Sequence, residues 1–140
     1  MLLTIDSPLP PLTCYVCVNA KDIDVHKRDG HNLLRPETVE ALFYMWRATG
    51  DRQYRDAGWR MFQAFEKHTK VRTGGYTSLD TVMRLPAPRR DEMPSYFLGE
   101  TLKYFFLLFS DKSVVPLDRW VFNTEAHPLP VFSTQRFRRT

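Results

Sequence analysis

The stretch FLGETLKYFFLLF, residues 97–109, is apolar on nearly every side of the helix it would form. A surface helix carries one apolar stripe and leaves its other face polar, whereas a helix that is apolar all round has to be covered on most of its faces. Two other helices and a loop, which is what the pattern of the remaining chain offers, cannot supply that cover. The chain is therefore expected either to oligomerise or to belong to a larger helical body.

The two other helices are read from spacing. Over residues 36–49 the apolar Val39, Leu42, Phe43 and Trp46 recur at i, i+3, i+4 and i+7, which is an amphipathic helix, and Gly50-Asp51 ends it. A second helix is expected over residues 52–69, with Tyr54, Gly58, Met61, Phe62 and Phe65 in one stripe, so that the pair forms an antiparallel hairpin. Gly74-Gly75 stops it, YTSLDTVM reads as a short extended stretch, and Pro86, Pro88, Arg89, Arg90 and Asp91 read as a surface loop. The third helix is expected from about Ser95 to Phe109, and the proline-ended VFNTEAHPLPVF as a short closing hairpin or extended segment. The fold class is thus all-α with a small β closure. Residues 1–28, broken by Pro8, Pro10 and Pro11, hold no period and are set apart as a leader; residues 133–140 form a basic tail.

Composition narrows the function. A chain of 140 residues that is 43% hydrophobic and 14% aromatic has enough apolar material for one packed domain. Its 20 Lys and Arg against 16 Asp and Glu give a charge of +4, but the signs are interspersed and part of the excess sits in Arg136, Arg138 and Arg139, so no nucleic-acid partner is expected. No apolar run approaches the roughly 18 residues of a membrane span. Asp6 and the lack of a basic start make the N-terminus a poor signal peptide, so targeting information and any membrane attachment are expected in a part of the parent protein outside this chain. Cys14 and Cys17 form a CxxC that fits redox chemistry or half a zinc site. Neither has its usual surroundings, since His26 and His31 follow too soon for a zinc finger and no strand-to-helix junction accompanies the pair; the cysteines are read as structural or incidental.

The polar residues that remain collect at element ends. Arg35-Pro36-Glu37 opens the first helix and Glu40 follows three residues on, Glu100 lies in the first turns of the third helix, and Thr124-Glu125 lies in the closing segment. Proline at a helix start and acids in the first turn are ordinary helix grammar, because the missing N–H would be unpaired there and the dipole favours negative charge. Residues at i and i+3 also share a face, so Glu37 and Glu40 place two negative charges together. Oxygen donors on separate elements suit a hard cation such as Ca²⁺, although such acids are usually only solvated. Without further information Glu37 is a helix-start charge, Glu100 a surface acid, Thr124 a strand residue and Tyr96 a core aromatic; His31 and His127 are read as structural.

Four blocks, HNLLRPETVEALFY, GGYTSL, FLGETLKYFFLLFSD and VFNTEAHPLP, stand in an order and approximate spacing that resembles the class I α-1,2-mannosidases of glycoside hydrolase family 47. The similarity runs over residues 29–132, and the wording resembles the processing enzymes of the endoplasmic reticulum and Golgi more than the degradation-enhancing relatives. The resemblance implies an (α/α)7 barrel, of which this chain would be the C-terminal helical part. It also implies inverting hydrolysis of terminal α-1,2-mannose from high-mannose N-glycans, and a bound Ca²⁺. Position by position, Glu37 matches the proposed general base, with Arg35 orienting it and contacting sugar. Tyr96 matches an aromatic that packs on the mannose ring. Glu100 would bind sugar hydroxyls or calcium-bound water, Glu40 would hold water of the calcium shell, Thr124 would ligate calcium directly, and Glu125 would join the substrate network.

Two departures qualify that match. Pro94 stands where the family usually has an acid, and Tyr96 where phenylalanine is usual. The upstream helices that bring the general acid are absent from these residues, and inverting hydrolysis needs two carboxylates roughly 6.5–9.5 Å apart. The chain is expected to be a fragment, a truncated gene product or a short isoform, inactive alone and prone to aggregate through its third helix. The rival reading is a non-catalytic helical remnant that binds glycan, calcium or a partner.

Overall fold

The structure, a computed structural model, describes residues 26–132. The leader up to residue 25, with its CxxC, and the basic tail over residues 133–140 lie outside the described residues. The chain divides into two compact units, one holding Trp59–Met93 with residues 26–34, the other Arg35–Gly58 with residues 94–132. No helix among the described residues is long and apolar enough to cross a membrane.

The second unit begins with α1 (Glu37–Thr49). Pro36 precedes it in a helical conformation and its carbonyl accepts the Glu40 amide at 2.8 Å, so the proline sets φ and loses no bond. The helix ends at Gly50, whose φ of 74° lies in the left-handed region and whose amide closes on the Trp46 carbonyl. Val39, Leu42 and Phe43 are buried, as the spacing requires. Helix α2 (Arg52–His68) starts in this unit and continues into the other. In its first turns the Arg55 guanidinium lies 5.1 Å from the Trp46 ring centre and donates to the Phe109 carbonyl at 2.6 Å. Gly58 sits against the Leu108 side chain so closely that a Cβ would collide with it. Along the whole of α2, Ala57, Met61, Ala64 and Phe65 are buried while Tyr54 and Phe62 are half-covered.

The third helix runs over residues 95–109 as expected, but it is not uniform. A π-turn occupies Phe97–Thr101, where the Leu102 amide bonds the Phe97 carbonyl, and regular α3 (Leu102–Phe109) follows. Phe97, Tyr104, Phe105, Leu107 and Leu108 are buried, whereas Leu98 and Phe106, eight residues apart on one face, are 58% and 63% exposed. The described residues therefore cover one side of this helix and leave the other open. The chain closes with an antiparallel pair, β1 (Trp120–Phe122) and β2 (Pro128–Pro130), in which Val121 faces Leu129. Prolines at both ends of β2 suit a sheet edge.

In the first unit a 3₁₀ turn (Lys27–Asp29) leads to a short extended run. Asn32 and Leu79 exchange amide-to-carbonyl bonds of 2.9 and 2.8 Å, and Leu79 pairs with Arg89 on its other side, so the first half of YTSLDTVM is extended and bridged, whereas the chain bends at Asp80, Val82 and Met83. The loop that follows is exposed at Arg89 and Arg90 but anchored, since the Arg90 amide donates to Ser78 at 2.9 Å and its side chain pairs with Asp80 at 3.1 Å. Glycines at positive φ, Gly74 (100°) and Gly75 (87°), reverse the chain between the bridged Lys70 and Tyr76.

One network in this unit titrates. Glu66 accepts a hydrogen bond from the Tyr76 hydroxyl and pairs with Lys70 at 2.7 Å. The bond from Lys70, and then that from Tyr76, hold its carboxyl below the ordinary 4.5, while burial first and the Glu66 bond next push the Tyr76 hydroxyl up to about 12. A carboxyl whose folded pKa is depressed contributes stability that is complete above its unfolded value and is lost as pH falls through the folded value. Acid titration should therefore lower stability over a window that opens near the ordinary 4.5. Glu66→Gln should flatten that limb in urea melts at stepped pH; an unchanged acid limb would refute the assignment.

Candidate active site

All seven residues singled out in the sequence lie in the second unit, on three elements. Arg35 and Glu37 stand at the entry to α1, both exposed, with the guanidinium 3.9 Å from the Glu37 carboxylate. An exposed pair at that distance stabilises little, so both side chains are available to a third group. Glu40, one turn on, is half-buried and accepts the Tyr104 hydroxyl at 3.2 Å. Tyr96 and Glu100, both half-buried, come from the opening turns of the third helix, and Glu100 lies inside the π-turn. Short π insertions are rare and occur often at functional sites, because the extra residue re-aims a side chain. Thr124 and Glu125 occupy the exposed turn between β1 and β2.

Electrostatics shows which of these are neighbours. Burial is the first cause that pushes the Glu100 carboxyl up, and the negative charges of Glu125, Glu37 and Glu40 follow, with Lys103 opposing. Four carboxylates from α1, the π-turn and the hairpin turn thus share one field. Tyr104 is buried, and its hydroxyl is pushed well up by burial and then by Glu40; Tyr44 beside it is raised for the same two reasons in the same order. Neither phenol supplies charge to the cluster, and Tyr104 serves as a neutral donor to Glu40.

Some residues around the cluster went unassigned in the sequence. Asn123 accepts the amides of Glu125 and His127 at 3.1 and 2.8 Å through Oδ1 and so shapes the turn. Asparagine's habit of bonding the backbone two residues on was a signal that could have identified it. Lys103 donates to the Ala126 carbonyl at 2.8 Å, and Tyr104 bonds Glu40 across 64 positions in the chain; no local pattern announces either. His127 lies 4.0 Å from Glu125 in the same turn.

Comparison with known proteins places the chain in a family. Residues 8–131 match the pattern of Glycosyl hydrolase family 47, a match that begins within the leader. Mannosyl-oligosaccharide 1,2-alpha-mannosidase MNS3 of Arabidopsis thaliana is 64% identical over 112 residues, which is 80% of this chain and 18% of that protein. The endoplasmic reticulum mannosyl-oligosaccharide 1,2-alpha-mannosidase of Homo sapiens is 56% identical over 115 residues, 81% of this chain and 16% of that protein. Among solved structures, the alpha-1,2-mannosidase from Trichoderma reesei superposes with a TM-score of 0.69 at 35% identity, covering 74% of this chain and 22% of that one. The chain spans less than a fifth of the length of these two curated relatives, at 18% and 16%. Within those bounds, the four ordered sequence blocks and the fold that carries them make this chain a member of glycosyl hydrolase family 47.

Proposed function

We propose that this chain is the C-terminal part of a calcium-dependent, inverting mannosyl-oligosaccharide 1,2-α-mannosidase. The parent protein would trim terminal α-1,2-mannose from high-mannose N-glycans in the lumen of the endoplasmic reticulum or Golgi. Residues 29–132 form the C-terminal segment of its catalytic (α/α)7 barrel, with residues 1–28 as leader and 133–140 as basic tail. The observation that carries the reading is the carboxylate cluster, in which Glu125 from the hairpin turn and Glu37 and Glu40 from α1 lie near enough to Glu100 for their charges to act on it.

The donor chemistry fits a hard cation. Carboxylates, the Thr124 hydroxyl and backbone carbonyls are the oxygen ligands that Ca²⁺ takes. Among the described residues no group of three or more His, Cys, Asp or Glu side chains could hold a metal. As the family resemblance implies, an ion here would rest on Thr124 directly and on water held by Glu40, with few direct carboxylate bonds. Bound there, it would help orient sugar hydroxyls and would offset the negative charges that, after burial, raise Glu100. Glu37, exposed at the helix entry, takes the proton of the attacking water, and Arg35 keeps its carboxylate turned to that task. Tyr96 offers a ring face to the sugar, and Glu100 and Glu125 accept sugar hydroxyls. The reaction also requires an acid to protonate the leaving oxygen, which this cluster does not provide as a separate group.

Two measurements test this. The purified chain should release no mannose from a high-mannose glycan, and measurable release would overturn its inactivity. Calorimetric titration with CaCl₂ should show binding that Thr124→Ala weakens at least about tenfold, since even partners one shell further out typically change metal affinity by 10–100-fold. Unchanged affinity in that variant would remove Thr124 from the site.

A further inference from the structure

The hairpin turn that presents Thr124 and Glu125 has little to hold it from within the sheet. Its two strands are three residues each, and β2 is exposed throughout. The turn spans five residues, 123–127, and closes on itself through the Asn123 amide to the His127 carbonyl at 3.1 Å and the Ala126 amide to the Asn123 carbonyl at 3.0 Å. These bonds set its internal shape. They do not say where it sits against the helix that carries Glu100.

Phe122, just before the turn, packs its ring 5.8 Å from that of Tyr104 on this helix, and one side chain bonds the turn itself. Lys103, three residues after Glu100 and therefore on the same helical face, reaches across 23 positions to donate from Nζ to the Ala126 carbonyl at 2.8 Å. Ala126 is the one fully buried residue of the turn, and its φ of 57° is in the left-handed region that alanine seldom enters. A non-glycine residue stays there only where its surroundings over-determine the conformation. In that conformation its carbonyl turns toward the helix, and a charge-assisted bond to a half-buried carbonyl is of the strong kind.

We propose that Lys103 is a positioning residue: its ammonium fixes the Ala126 carbonyl and thereby holds the turn bearing Thr124 and Glu125 against the helix bearing Glu100. The lysine touches neither sugar nor ion in this role. It acts through the backbone between two proposed site residues and the helix. Its consequence for calcium rests on the metal reading above; its consequence for the turn does not.

The experiment uses the 140-residue chain and two readouts. Amide hydrogen exchange should show residues 124–127 exchanging at least about tenfold faster in Lys103→Met, which keeps the apolar stem, with the amides of α1 unchanged, because local opening has its own free energy separate from global unfolding. Lys103→Arg, which retains a cationic donor, should restore most of the protection. CaCl₂ titration of Lys103→Met should show lowered affinity although a positive charge facing Glu100 has been removed, a loss opposite in sign to the electrostatic effect and therefore due to the displaced turn. Unchanged exchange in the turn would overturn the proposal, as would acceleration spread equally over all helices. Should Lys103→Met not fold, Lys103→Gln carries the same exchange test. A wild-type chain that binds no Ca²⁺ but loses turn protection in Lys103→Met would reject the metal reading and keep Lys103 as the residue that sets the turn.

Discussion

Phe43→Ala is expected to cost the second unit about 3–5 kcal/mol, as truncation of a fully buried aromatic does. Phe43 is 0% exposed and stands where three elements meet. Its ring centre lies 5.6 Å from that of Tyr104 on α3, 5.9 Å from Phe122 on β1 in an edge-on arrangement, and 5.0 Å from Tyr44 on its own helix. The Arg47 guanidinium covers its face at 4.9 Å. Removal of the ring takes away the transfer energy of its carbons and leaves a hole that Tyr104 and Phe122 cannot fill without shifting. Domains of this size have only about 5–15 kcal/mol in all, so the loss is a large share. Urea unfolding in dilute solution, followed by tryptophan fluorescence, reads it, and a loss below about 1 kcal/mol would mean that the neighbours close over the gap. The effect should reach the cluster too, because Tyr104 is the donor that holds Glu40. Phe43→Leu should lose less on both counts.

Arg47→Met is the second large effect, expected at about 2–3 kcal/mol, near the worth of one or two bonds to a charged donor. The Arg47 guanidinium donates to the carbonyls of Lys112 and Val114, each at 2.9 Å, and reaches Leu107 at 3.3 Å. Those carbonyls belong to the last turn of α3 and the loop after it, where helical partners run out. One planar fork thus closes a helix end and ties the following loop to α1. Burial pulls the guanidinium somewhat below its ordinary value, with Asp111 opposing, which leaves it charged at any working pH. Methionine keeps the stem and removes every donor. Arg47→Lys should recover only part of the loss, because one ammonium cannot span carbonyls that a rigid fork reaches together. The loss should persist in high salt, since the acceptors are neutral carbonyls, whereas a surface ion pair would be screened. A salt-dependent loss would point to Asp111 instead.

Arg47 also marks where reading from sequence stops. At the end of α1 it is an ordinary basic residue in a last turn, complementary to the helix dipole. Its partners lie 60 to 68 positions away, and nothing in its neighbourhood signals them. The same holds for Tyr104 on Glu40 and Lys103 on Ala126. The residues at the cluster itself were legible because they stand in four blocks that resemble a family; the residues that hold them in place were not.

What the sequence determined by itself is what acts within a turn or two of the chain. Pro36 and Gly50 bound α1 because one fixes φ and the other enters the left-handed region at no steric cost. The apolar spacing of α1 and the long apolar run of the third helix decided that they are helices, and Pro128 and Pro130 suit the exposed strand of a short closing hairpin. The tertiary structure decided the rest. It placed a π-turn at Phe97–Thr101 inside a stretch that read as regular helix, left Leu98 and Phe106 open, and brought Glu125, Glu37 and Glu40 close enough for their charges to act on Glu100. Backbone dihedrals and caps depend on adjacent atoms, so they are written locally; a field or a bond between distant residues depends on which faces pack, and that is settled only when the helices and the hairpin close on one another.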